Sequence, residues 1–147
     1  MAPLEIEIPF WFSERNPGAS QSDLESTERH VGFQLPEKFK ELLTQQNGGV
    51  SNFTAFDNGA TYAPVLPILG ASPEGGFGSM IGAFQVREDF EVPESIVVFA
   101  AQGESWLGFD YRERKDEPSV VFRMDFDREV EQVAASFDLF LDGLIEE

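Results

Sequence analysis

Between Leu35 and Gly49 the sequence spells out a helix together with both of its ends, and the rest of the fold has to be built around that unit. Pro36 suits a first helical turn, where a missing N–H costs nothing and φ is already fixed. Phe39, Leu42 and Leu43 recur at the three- and four-residue spacing of one buried face. Asn47 or Gly48 can take the left-handed conformation that closes a helix, and Gly49 releases the chain. Upstream, Ser22 with Glu25 three residues on has the form of a capping box, which predicts a helix running to about Val31 and stopped by Gly32. Two short helices in direct succession predict a helical hairpin.

The rest of the chain reads mostly as strands. Leu4, Ile6 and Ile8 alternate with Glu5 and Glu7, a period-two strand ended by Pro9. Phe10-Trp11-Phe12 follows, then a turn at Asn16-Pro17-Gly18. Residues 50–56 and 62–69 are β-rich runs joined by the turn Asp57-Asn58-Gly59. Residues 70–82 hold five glycines and read as a loop. Ile96 to Ala101 is the most apolar run and is expected to be the central strand. Residues 106–111 and 119–124 predict two more strands around the charged turn Arg112 to Pro118. Val130, Val133, Ala134, Phe137, Phe140, Leu141 and Leu144 trace a helical stripe that Asp127 could cap. The sum is an α+β single domain over residues 1–147: a bent, mostly antiparallel sheet flanked by an N-terminal helical hairpin and a C-terminal helix. Residues 1–21 are expected to form an N-terminal strand and extension ahead of the main body of the domain.

Composition narrows the function classes. With 147 residues, 41% apolar and fifteen Phe, the chain has enough to bury a core. There is no Cys, which excludes disulfides and thiolate metal sites. No apolar run approaches the length of a membrane span, and the N-terminus lacks a secretory pattern, so a cytoplasmic location is expected. The formal charge is −17, with −6 on residues 1–74 and −11 on residues 75–147. Such a surface repels nucleic acid and anionic lipid, and either keeps the protein soluble or selects a basic partner.

Catalytic machinery is not evident. His30 lies on the first predicted helix, with no Cys and no Gly-x-Ser-x-Gly elbow to complete a nucleophilic set. Asp125, Asp127, Glu129 and Glu131 lack the spacing of a calcium loop and are better explained as acids at a helix start. Gly75-Gly76-Phe77-Gly78 lacks the Lys and Ser/Thr of a phosphate-binding loop. Glu104 and Asp110 could serve as paired carboxylates, but a chain with 27 acids offers such pairs by chance. No cofactor or metal is implied. The ridge from Glu104, Ser105 and Trp106 to Asp110 and Tyr111, with Glu88 and Asp89, combines rings with acids as an anchor-and-steer interface does. Alternation places at least one of Trp106 and Phe109 inside, and Trp106 can face either way. Trp11 is a second candidate anchor or a lid on the core.

Ordered along the chain, Leu24, Glu28, Gly32, Leu35-Pro36, Phe39, Leu42 and Asn47-Gly48-Gly49 resemble the opening pattern of the SUKH superfamily. Gly103 to Asp110 is similar to its glycine-rich hairpin, and Phe137 to Leu141 to its closing helix. The resemblance covers roughly residues 22 to 145. It implies a non-catalytic immunity protein that neutralises a cognate bacterial toxin, a basic nuclease domain, by occluding its active cleft. In that role Glu88, Asp89, Glu104 and Asp110 would pair with phosphate-binding Arg and Lys, Ser105 would be a further contact residue, and Trp106 or Tyr111 would fill a base-stacking or apolar pocket of the toxin. The alternative is an intracellular regulatory or scaffold domain, as fungal relatives suggest. Neither role calls for nucleic-acid or membrane binding, and the expected state is a monomer or weak dimer.

Overall fold

Helix α1 (Gln21–Val31) begins at Ser20, whose hydroxyl accepts the Asp23 N–H while the Asp23 carboxylate accepts the Ser20 N–H. The capping box is therefore Ser20 with Asp23, two residues before the predicted pair. Gly32 ends the helix in the left-handed region at φ 81°. Helix α2 (Glu37–Gln45) follows, with Pro36 as its cap rather than its first residue. The joint between them is electrostatic: Glu28 accepts the Leu35 N–H at 2.7 Å and the Lys40 ammonium at 3.4 Å. The computed structural model describes residues 9–12, 17–72 and 78–146. The strand expected before Pro9 lies outside them.

Leu43 and Phe39 of α2 are completely buried, and Leu42 is half-buried. Trp11 is also in the core, its indole N–H donating to the Leu42 carbonyl at 3.0 Å, so it is a lid and not a surface anchor. The chain leaves α2 through a buried, extended Gln46 and then Gly48 and Gly49, both with positive φ. Gly48 combines φ +90° with backbone so close that a Cβ would lie 2.9 Å from the Ile68 carbonyl oxygen. Both conditions demand glycine. Gly48→Ala should therefore cost about 2–4 kcal/mol, left-handed strain plus overpacking, read as a lowered urea midpoint.

Two antiparallel sheets follow. The smaller has the order β2 (Tyr62–Pro64), β1 (Ala55–Asp57), β7 (Leu144–Ile145), with Asp57 opposite Tyr62 across the predicted turn. The larger has the order β3 (Ile96–Gln102), β4 (Ser105–Asp110), β5 (Ser119–Arg123), β6 (Glu131–Ala134). The fold is thus α+β, with N-terminal helices and a C-terminal helix around antiparallel sheet. Strand β3 is not central: it is an end strand, and its outer side bonds to the Ile68–Leu69 segment, as in Leu69 N–H to Phe99 O at 2.8 Å. Cover by that segment, not a strand on each side, is what makes the run so apolar.

The expected helix from Val130 is two elements. Glu131 and Gln132 are exposed while Val133 and Ala134 are buried, and they pair with β5 across a register shift. The edge of β5 supplies hydrogen bonds that a helix at this point would forgo. Helix α4 (Phe137–Asp142) starts at Ser136, whose hydroxyl accepts the Leu139 N–H, so Asp127 caps no helix. A further, unexpected helix, α3 (Met80–Gln85), starts at the end of the 70–82 region and is capped by Ser79.

The core is an aromatic cluster where α2, α4 and the larger sheet meet. Phe39 sets its ring edge-on to Phe99, Phe109 and Phe137 at 5.1 to 5.5 Å between centroids. Phe99 stacks on Phe109 at 4.3 Å across β3 and β4.

Candidate partner-binding face

Strand β4 separates the expected site residues into two groups. Its far end carries Asp110 and Tyr111, about 17 Å from Ser105 at the usual rise per strand residue. Tyr111 is buried, stacked on Phe33 at 4.4 Å, and donates its hydroxyl to the Gln34 carbonyl at 2.6 Å. Burial, with the Glu28 charge second, pushes the phenol well above its ordinary value. The ring ties the sheet to the joint between α1 and α2, so it cannot be a surface anchor. Asp110 is already engaged: Arg112 donates to it through Nε, Nη2 and the backbone N–H at 2.8 to 3.2 Å. Burial alone would raise its carboxyl, but Arg112 outweighs that and holds it below the ordinary 3.8. Stability from this pair is present above that value and lost as pH falls through the depressed one. The stability difference between wild type and Asp110→Asn should accordingly shrink towards zero in urea titrations taken progressively below pH 4.

The near end of β4 is different. Trp106 is 3% exposed, so it too fails as a projecting anchor. Alternation along β4 does not leave one face to solvent, because helices and loops cover both: Trp106, Leu107, Gly108 and Phe109 are all buried. Trp106 forms part of the floor of a cleft of about 920 Å³. Ile68, Leu69 and Val98 continue the floor, α3 with the following Val86 and Phe90 makes one wall, and the β3–β4 hairpin makes part of the lip. Glu104, at the tip of that hairpin, and Glu88 and Asp89, just before Phe90, are exposed at this end. Ser105 is half-buried, its hydroxyl donating to the Met124 carbonyl. Ser105 and Trp106 thus line the cleft, Glu104 lies in sequence between the lining Gly103 and Ser105, Glu88 and Asp89 directly precede the lining Phe90, and Asp110 and Tyr111 are not in its lining.

Beside this opening the structure exposes rings that sequence reasoning missed. Phe90 and Phe126 are 37% and 39% exposed and stack on each other at 5.9 Å. Each sits between two acids, in Asp89-Phe90-Glu91 and Asp125-Phe126-Asp127, and that interleaving was the available signal. Across residues 87–91 and 125–129 there are six acids and two bases. Among the described residues, none of Glu88, Asp89, Glu91 and Glu104 takes part in an ion pair. His30, by contrast, is an exposed helix residue whose ring Nδ1 lies 2.9 Å from the Ser26 carbonyl.

What holds these loops is Arg123, a buried cation at the end of β5. It donates Nη1 to the Glu91 carbonyl at 3.0 Å and Nη2 to the Phe90 carbonyl, and lies 5.2 Å from the Trp106 ring centroid and 5.7 Å from that of Phe126. Glu91 is held at φ 53°, a conformation rare for a residue with a side chain. The arrangement offers exposed rings for contact and carboxylates for steering. Among the described residues there is no cluster of His, Asp and Glu fit to hold a metal ion, and no helix long and apolar enough to cross a membrane.

An antiparallel α+β domain thus combines an apolar cleft with a lip that bears acids and exposed rings. The chain belongs to the SMI1-KNR4 cell-wall family, SUKH_6, whose family model matches residues 21–141. No curated protein matches the chain. The SUKH superfamily groups SMI1-KNR4-like and toxin-immunity domains that are generally non-catalytic, which is consistent with a protein-binding role.

Proposed function

We propose that this protein is a non-catalytic immunity protein that binds a basic toxin, a nuclease domain above all, and neutralises it by covering its active cleft in the cytoplasm. The observation that carries this is the Phe90–Phe126 stack set among acids that form no ion pair among the described residues. A nuclease cleft is lined with Lys and Arg for phosphate. Carboxylates of Glu88, Asp89, Glu91 and Glu104 take the place of phosphates there, and the two rings supply desolvated contact area at the centre. With a net charge of −17 a second copy is repelled, so the protein acts as a monomer or at most a weak dimer.

The test is capture from the organism that makes the protein, comparing wild type with a Phe90→Ala, Phe126→Ala variant. The expected result is one strongly basic protein held by wild type and lost by the variant, whose nuclease activity falls when wild type is added back. Capture of an acidic protein, or nuclease activity indifferent to bound wild type, would overturn the proposal.

A further inference from the structure

Behind the acidic lip lies the apolar cleft, and the role proposed above does not by itself say what enters it. Resting on that role, we infer that the cleft receives one large apolar side chain of the partner, carried on a basic segment with Lys or Arg on either side of it. Its volume, about 920 Å³, is ample for such a side chain. Its floor is Ile68, Leu69, Val98 and Trp106, and Ala83 and Val86 stand in its wall. Buried apolar area of this kind rewards a ring or branched chain and rejects a charge.

The charge around the opening chooses the carrier. Glu88 and Asp89 rise from the loop after α3 and Glu104 from the β3–β4 hairpin, so carboxylates stand on two separate elements of the lip. Arg87, the neighbouring cation, is turned away from them: its guanidinium lies 3.8 Å from the Phe84 ring centroid and donates to the Phe84 carbonyl at 2.7 Å. Arg123 is buried beneath, its two Nη groups donating to the Glu91 and Phe90 carbonyls. A fatty acid, an anionic lipid or another copy of this acidic chain would meet repulsion at this lip. A segment of the form cation–apolar–cation meets attraction on both sides and burial between.

The test is an NMR titration of the full chain with three capped pentapeptides: Lys-Arg-Trp-Arg-Lys, Lys-Arg-Ala-Arg-Lys and Glu-Ser-Trp-Ser-Glu. The first should shift the amides of Gly49, Gly82 and Gly103, which line the cleft, and bind at least about tenfold more tightly than either of the others. Ala83→Trp, which obstructs the cleft from a half-buried helix position, should abolish that advantage. If that variant does not fold, Val86→Arg on the exposed part of the wall should do the same by repulsion. Equal binding of the two basic peptides, with shifts confined to the acidic loops, would overturn the anchor cleft and leave the acidic face standing. Equal binding of the two Trp peptides would overturn it in favour of a cleft for small apolar molecules. Binding of neither basic peptide would overturn both the inference and the role on which it rests.

Discussion

Replacing Phe39 by alanine will remove about 3–5 kcal/mol of stability, the cost typical of truncating a fully buried Phe. The side chain is 1% exposed and meets Phe99, Phe109 and Phe137 edge-on, so its loss opens a cavity between α2, the larger sheet and α4 at once. Rigid neighbours on three sides leave little scope for collapse into the void. Against a total of about 5–15 kcal/mol for a domain of ordinary stability, such a loss brings the variant near its unfolding threshold. Urea denaturation followed by far-UV circular dichroism measures it. Phe39→Leu, which keeps most of the volume, should lose clearly less. A loss below about 1 kcal/mol for the alanine variant would mean that the ring cluster does not organise the core.

The second large effect concerns binding. Phe90→Ala with Phe126→Ala should weaken binding of the captured basic partner by about 2 kcal/mol or more, roughly 30-fold, through faster dissociation. Stability should change little by comparison, because both rings are more than one-third exposed and Arg123 holds the loop by backbone carbonyls that the truncation leaves in place. Surface plasmon resonance separates the two rates. A pair of truncations that leaves the dissociation rate untouched would move the interface away from this face.

Much of the fold could be read from the residues themselves. The α2 segment, the Gly32 stop, the Asp57-Asn58-Gly59 turn and strands β4 and β5 depend on local signals, namely caps, turn residues and short apolar runs, and they stand where those signals put them. The failures are where tertiary partners decided. Val130 to Leu144 fits a helical stripe, but the edge of β5 took Glu131 to Ala134 as a strand, and Ser136 then restarted the chain as α4. Helix α3 stayed hidden because its six residues, Met80 to Gln85, adjoin a glycine-rich stretch and are too few for a periodic pattern.

The site was half legible for a related reason. Glu88, Asp89 and Glu104 are exposed, as acids in loops and hairpin tips tend to be. Rings offered no such guide. Trp106 and Tyr111, the conspicuous ones, lie inside, since strand alternation cannot tell a sheet covered on both faces from one that is bare on one. Phe90 and Phe126 belong to loops with no period at all, and only the acids on each side of them betray that they face water. Arg123 looked like the end of a strand. Its part in holding the Phe90 and Glu91 carbonyls depends on a contact 32 to 33 residues away in sequence.

The central claim is that a negatively charged face, whose acids form no ion pair among the described residues, draws in a cationic protein. Stopped-flow association with the captured basic partner, run from low to high salt, tests it most directly. Wild type should associate at least about tenfold more slowly at high salt than at low salt, and Glu88→Lys, Asp89→Lys, Glu104→Lys combined should bring the low-salt rate down by a similar factor with the fold intact. Glu117→Lys, in the turn where Arg114 already pairs with Glu117 at 3.2 Å, should have far less effect. An association rate that ignores both salt and the triple reversal would contradict the account.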